Sequence, residues 1–112
     1  GMRVAVYARG TQQRWVESEG FEFCATVLDA AYGADVLTPH LGLGQGTPEG
    51  FANAKVIDAR VLSVLAPGAI LVNYDRGELV DVAALDDALG SGHVAFAAID
   101  DCRNKTTQFL YV

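Results

Sequence analysis

At 112 residues, half of them apolar, the chain is long enough for one hydrophobic core and too apolar to stay disordered. A formal charge of −6 at pH 7 argues against nucleic acid or an anionic membrane as partner. No apolar run approaches membrane-spanning length, no basic-then-apolar leader is read, and Gly1 ahead of Met2 reads as a residue left by expression.

Arg3–Ala8 (RVAVYA) has the β-propensity of a first strand, which Arg9-Gly10 breaks. Thr11 is placed to cap a short helix through Glu19, with Trp15 and Val16 on its inner face and Gly20 as its stop. Phe21–Ala25 alternates as a second strand, Phe21, Phe23 and Ala25 against Glu22 and Cys24. Thr26 opens a short helix that ends at Gly33, and Asp35–His40 reads as a third strand ending at Pro39. Leu41–Ala54 is loop-like, although Thr47-Pro48-Glu49 has the character of a helix start.

Asp58 caps a clearer helix with Val61, Leu62 and Leu65 on one face, and Pro67-Gly68 ends it. Ala69–Val72 (AILV) then runs without a polar break, as a strand buried on both faces of a parallel sheet does. The run ends at Asn73, and a short loop carries Arg76-Gly77. Asp81 stands at the N-cap of a helix with Val82, Leu85 and Leu89 at helical spacing. Gly90-Ser91-Gly92 closes the next turn, His93 is expected at the surface, and Val94–Ile99 (VAFAAI) forms another apolar strand ending at Asp100. Lys105–Val112 is expected as an extra strand or a packed tail.

Strands alternating with helices predict an α/β fold: a three-layer, mostly parallel sheet with helices on its faces. In such sheets ligands bind at the carboxyl ends of the strands, where Arg76 stands. On composition alone Arg76 pairs with Asp75, Glu78 or Asp81. Cys24 and Cys102 lack metal-ligand spacing, so no metal is expected, and both read as reduced thiols of a cytoplasmic protein.

Asn73–Asp81 (NYDRGELVD), Ala84-Leu85, Asp87–Leu89, Ser91-Gly92 and Ala97–Asp100 (AAID) together resemble the D-isomer-specific 2-hydroxyacid dehydrogenases. The pattern extends through Pro67-Gly68 and Ala54–Leu65, and more weakly through Ala34–His40 to Met2. The resemblance implies one partial, incomplete Rossmann-like NAD(P)-binding domain over residues 1–112. It implies Arg76 as the catalytic arginine that clamps the carboxylate of a 2-hydroxy or 2-keto acid, because a planar donor fork meets a carboxylate bidentately and keeps its charge. Asp100 is then the acceptor for the nicotinamide carboxamide, and Asn73-Tyr74 and Pro39-His40 line the nicotinamide side. Arg9 replaces the ribose-binding acid of NAD-preferring members, which favours the 2′-phosphate of NADP, or it simply faces solvent.

Three features depart from that family's pattern. On the resemblance the chain opens at the second Rossmann strand, so the Gly-rich phosphate loop of the first is missing, and Gly42, Gly44 and Gly46 follow the wrong strand to replace it. No glutamate follows Glu78, and Thr38-Pro39-His40 precedes Arg76 where the family's acid–base histidine comes later. The chain by itself is therefore expected to be inactive. Lacking its central strand, the sheet is expected to close up, to take in the tail near Gln108–Val112, or to pair as a homodimer, the last being preferred. A non-catalytic oligomeric α/β module and a small-acid-binding protein are the alternative readings.

Overall fold

The computed structural model describes residues 2–41, 46–47, 50–51, 53–73, 77–101 and 106–111, of which 46–47, 50–51, 77, 99–101 and 106–111 in backbone only. Parallel pairing with intervening helices confirms the α/β expectation. Strands β1 (Ala5–Tyr7) and β2 (Glu22–Cys24) form one parallel pair. A second sheet runs β3 (Val36–Leu37), β6 (Ala69–Asn73), β7 (Val94–Asp101) and β8 (Thr106–Tyr111). Its first three strands are parallel, and β8 lies antiparallel against β7. Two short strands, β4 (Gly46–Thr47) and β5 (Gly50–Phe51), pair antiparallel in the region expected to be loop. Thr47, expected to start a helix, belongs to this ladder instead, while Pro48 and Glu49 lie outside the described residues.

The helices α1 (Gln13–Ser18), α2 (Val27–Ala31), α3 (Ala59–Ser63) and α4 (Val82–Ser91) connect these strands. Three begin where a short polar side chain satisfies an orphan amide. Thr26 Oγ1 accepts from Asp29 N at 3.0 Å, Asp58 Oδ1 from Val61 N at 3.0 Å, and Asp81 Oδ1 from Ala84 N at 3.4 Å. Asp58→Ala should lower stability by about 1 kcal/mol, readable as a lower denaturant midpoint at unchanged slope. The more stretched Asp81 bond predicts a smaller loss for Asp81→Ala. Gly92, at φ 81°, ends α4 in the left-handed conformation that a side chain disfavours.

Helix α1 departs from expectation. A 3₁₀ turn over Gly10–Gln12 precedes it, and no side chain caps either element. Val16 is buried, but Trp15 is 57% exposed. In β2 the buried residue is Cys24 while Phe21 is exposed, because this strand pairs on one side only and Phe21 stays in the turn leaving α1. Val82, expected in the core, is exposed at the first position of α4, whereas Leu85 and Leu89 are buried.

The core lies between the second sheet and helices α2, α3 and α4. Ala31, Val61, Leu62, Leu85 and Leu89 pack there against Ala69, Leu71, Val94 and Ala97. The opposite face of that sheet is open at its β3 end, while Ala98 on β7 is buried. Val36 and Ile70 share a register row and are 49% and 37% exposed. Among the described residues the two sheets neither close on each other nor take in the tail, since β8 occupies the far edge beside β7.

Cys24 is a buried free thiol, and burial, with smaller contributions from Glu22 and Asp29, pushes its pKa above 9.0. A thiol that stays protonated in the folded chain but ionises when unfolded destabilises the fold once pH rises past the unfolded value. Stability should therefore fall as pH rises above 9.0 through the folded-state value. A Cys24→Ala variant should lose this part of the alkaline slope in pH-dependent chemical denaturation.

Candidate functional site

Parallel strands bring their carboxyl ends to one edge of a sheet, so chain direction alone assembles the site. Strand β6 ends there at Asn73, which is 0% exposed. A polar side chain so deeply buried at a strand end is held by hydrogen bonds. Beyond it, Tyr74 and Arg76 lie outside the described residues. The chain re-emerges in a 3₁₀ turn over Gly77–Leu79 whose Leu79 is fully buried.

A contact that periodicity could not reveal fixes this exit. Ile57 and Val80 form an isolated parallel bridge. Lys55 N donates to Glu78 O at 2.8 Å, Ile57 N to Leu79 O at 2.9 Å, and Asp81 N to Ile57 O at 3.0 Å. The arginine loop is thus held at both ends, by a core strand before it and by this ladder after it. Lys55 itself sits at φ 58°, an uncommon conformation for a residue with a side chain.

Strand β3 reaches the same edge and leads into Thr38, Pro39 and His40. Pro39 is buried, and the exposed His40 ring shares a hydrogen bond with Thr38 Oγ1, Nε2 to Oγ1 3.0 Å. These residues face β1 across a cleft of about 290 Å³, whose walls also include Tyr7, Val27 and Ala30. Arg9 follows β1 and is exposed, its carbonyl accepting from Gln12 N at 2.8 Å. Asp100 lies inside β7 opposite Thr107 and just past Ile99, which pairs with the last residue of β6. The strand runs beyond the expected end because β8 continues the ladder.

The fold therefore brings Asn73, Pro39-His40 and the backbone of Asp100 to one edge, with Arg9 beyond the cleft. The cleft has the volume of a single heteroaromatic ring system with its neighbours. Thr38 and His40 supply polar groups to the cleft, whereas Asn73 is fully buried and does not line it. For a dinucleotide's pyrophosphate, no helix of eight residues or more begins at this edge beside the cleft among the described residues.

A second hollow, about 310 Å³, runs between α3 and α4 along Ser63, Asp87, Ser91 and His93. His93 precedes β7, so this hollow lies toward the amino ends of the strands and away from the arginine loop. His93 is half-buried rather than at the surface, because its carbonyl accepts from Gly68 N and Ala69 N and draws the turn inward. Among the described residues no three His, Cys, Asp or Glu side chains gather as a metal site would need. No helix among them is long and apolar enough to cross a membrane.

Comparison with known proteins bears on both fold and lineage. The family described as D-isomer specific 2-hydroxyacid dehydrogenase, NAD binding domain, matches residues 1–108. The D-3-phosphoglycerate dehydrogenase of Escherichia coli K12 is 40% identical over 67 residues, covering 60% of this chain and 15% of that protein. The crystal structure of a D-isomer specific 2-hydroxyacid dehydrogenase from Xanthobacter autotrophicus Py2 superposes with a TM-score of 0.71 at 31% identity, over 90% of this chain and 31% of its own. The Salmonella D-lactate dehydrogenase, at 23% identity and a TM-score of 0.76, shares the fold over 93% of this chain and 29% of its own. The chain thus spans less than a third of the length of these proteins.

Proposed function

Because this chain belongs to the D-isomer-specific 2-hydroxyacid dehydrogenase family and matches its NAD-binding domain, we propose that it supplies the nicotinamide and carboxylate side of an oxidoreductase site for 2-hydroxy or 2-keto acids. Residues 1–112 act as a single, partial Rossmann-like NAD(P)-binding domain in this reading. The observation that carries it is the arrival at one sheet edge of Asn73, Pro39-His40 and the Asp100 backbone.

In this reading Arg76 binds the substrate carboxylate through its planar donor fork, which keeps its charge at any working pH. Bidentate contact fixes the neighbouring carbonyl in position as well as holding the acid. Asn73 and Pro39-His40 line the nicotinamide side, and Asp100 accepts from the carboxamide. Arg9 lies where the adenosine ribose would end and favours a 2′-phosphate, hence NADP over NAD. A bound nicotinamide supplies or takes up the hydride. The chain works in the cytoplasm, and it pairs as a homodimer by burying the apolar row of Val36 and Ile70.

Calorimetric titration of the chain with NADH, NADPH and a 2-keto acid tests this reading. Binding of NADPH more tightly than NADH, together with 2-keto acid binding that Arg76→Ala removes, is the expected result. Absence of binding by both dinucleotides and by the acid would sink it.

A further inference from the structure

The hollow between α3 and α4 stands apart from the arginine loop and has a chemistry of its own. We propose that it is a binding site for a small primary amine, held by its ammonium group with a short apolar body behind it.

Sequence spacing explains why the hollow exists. Ala59 and Ser63 lie one turn apart on α3, and Ala84, Ala88 and Ser91 fall on one face of α4. These facing side chains are too small to fill the space between the helices, and about 310 Å³ stays open beside the buried Leu62. That volume is at the small end of the range for ligand pockets. Ala84 to Ser91 spans about 10 Å of helix, the length of one ring with a short arm.

The two ends of the hollow differ. Helices α3 and α4 each return the chain to the next parallel strand, so they run side by side in the same direction. Ala59 and Ala84 therefore stand at one end, and Ser63 and Ser91 stand with His93 at the other. The first end is apolar, and the polar side chains gather toward the second.

That polar end offers acceptors. Ser63 Oγ donates its one proton to Arg60 O at 2.7 Å, and Ser91 Oγ donates to Ala88 O at 3.1 Å while accepting from His93 N at 3.3 Å. Each hydroxyl oxygen keeps a lone pair for a further donor. The Asp87 carboxylate, on the same face of α4, has no ion pair or hydrogen bond among the described residues. No Lys or Arg lines the hollow among those residues. The carboxyl end of the ten-residue α4 adds its negative partial charge beside Ser91. His93 Nε2 is shut off from solvent without a hydrogen-bond partner, a second sign of unmet bonding capacity at this end.

An ammonium group suits this set because it has three protons to donate and no lone pair. An anion would meet Asp87 with no cation to offset the repulsion. A neutral alcohol donates one proton and gains nothing from the carboxylate's charge. The site is independent of the dinucleotide and of the 2-keto acid.

An NMR titration of the isotopically labelled chain with 2-phenylethylamine tests this. Saturable shifts are expected on the amides of Ser63, Asp87, Ser91 and His93 and on the His93 ring nitrogens, with Thr38 and His40 unmoved. 2-Phenylethanol, the same body without the charge, should bind about fivefold more weakly, as befits loss of a solvent-exposed ion pair. 3-Phenylpropionate should give no saturable shifts. Asp87→Asn, at an exposed position, should weaken the amine by a similar factor, and Ala88→Leu should abolish binding by filling the hollow. The proposal is overturned by absence of saturable shifts, by shifts that fall outside the hollow, by equal binding of amine and alcohol, or by undiminished affinity in either variant.

Discussion

Leu85→Ala should cost about 2–5 kcal/mol of folding free energy, the range for emptying a leucine site in a packed core. Leu85 is 0% exposed and sits where α4 meets the core shared with α3 and the second sheet. A chain of this size has a total stability of roughly 5–15 kcal/mol, so the variant should lose about an eighth of it or more. The reason is geometric. Leu62, Leu71 and Ile57 approach from other elements, and none can collapse into the hole without pulling its own strand or helix. Val82→Ala, three residues earlier on the same helix, should be nearly neutral because Val82 is 50% exposed. Urea unfolding of both variants checks the pair, and equal losses would show that α4 packs through a different face.

Arg76→Ala should weaken 2-keto acid binding by about 10- to 150-fold, the equivalent of the 1.5–3 kcal/mol expected for a hydrogen bond to a charged group. Arg76→Lys should recover only part of the loss. A lysine keeps the charge but presents no planar fork, so the acid would be held without its orientation. A fully restored affinity with lysine would mean that the loop supplies bulk charge rather than a bidentate clamp. Both variants should unfold at the same denaturant concentration as the parent chain, since Asn73 and the Ile57–Val80 bridge anchor the loop from either side.

Particular residues show how far the sequence could be read. Ala69–Asn73 was legible as a strand from the unbroken apolar run AILV, but its expected burial on both faces is not met, since Ile70 is 37% exposed on the face away from the core. Asp58, Thr26 and Asp81 were legible because capping is a local interaction, settled within three residues. What stayed hidden depends on distant partners. The pairing of Ile57 with Val80, the antiparallel seat of β8, and the exposure of Trp15 and Val82 are set by neighbours that no window of sequence contains. Asn73, Pro39 and His40 were singled out through the resemblance, and parallel strand direction explains why they lie toward one sheet edge. The missing ladder between β1 and β3 was legible only as a departure from the family's strand order.

The measurement that bears most directly on the proposed site is an NMR titration of the isotopically labelled chain with NADPH. The account predicts shifts that cluster on the amides of Thr38, His40 and Asn73, with the α3–α4 hollow silent. Shifts confined to Ser63, Asp87, Ser91 and His93, or no shifts at saturating nucleotide, would contradict it.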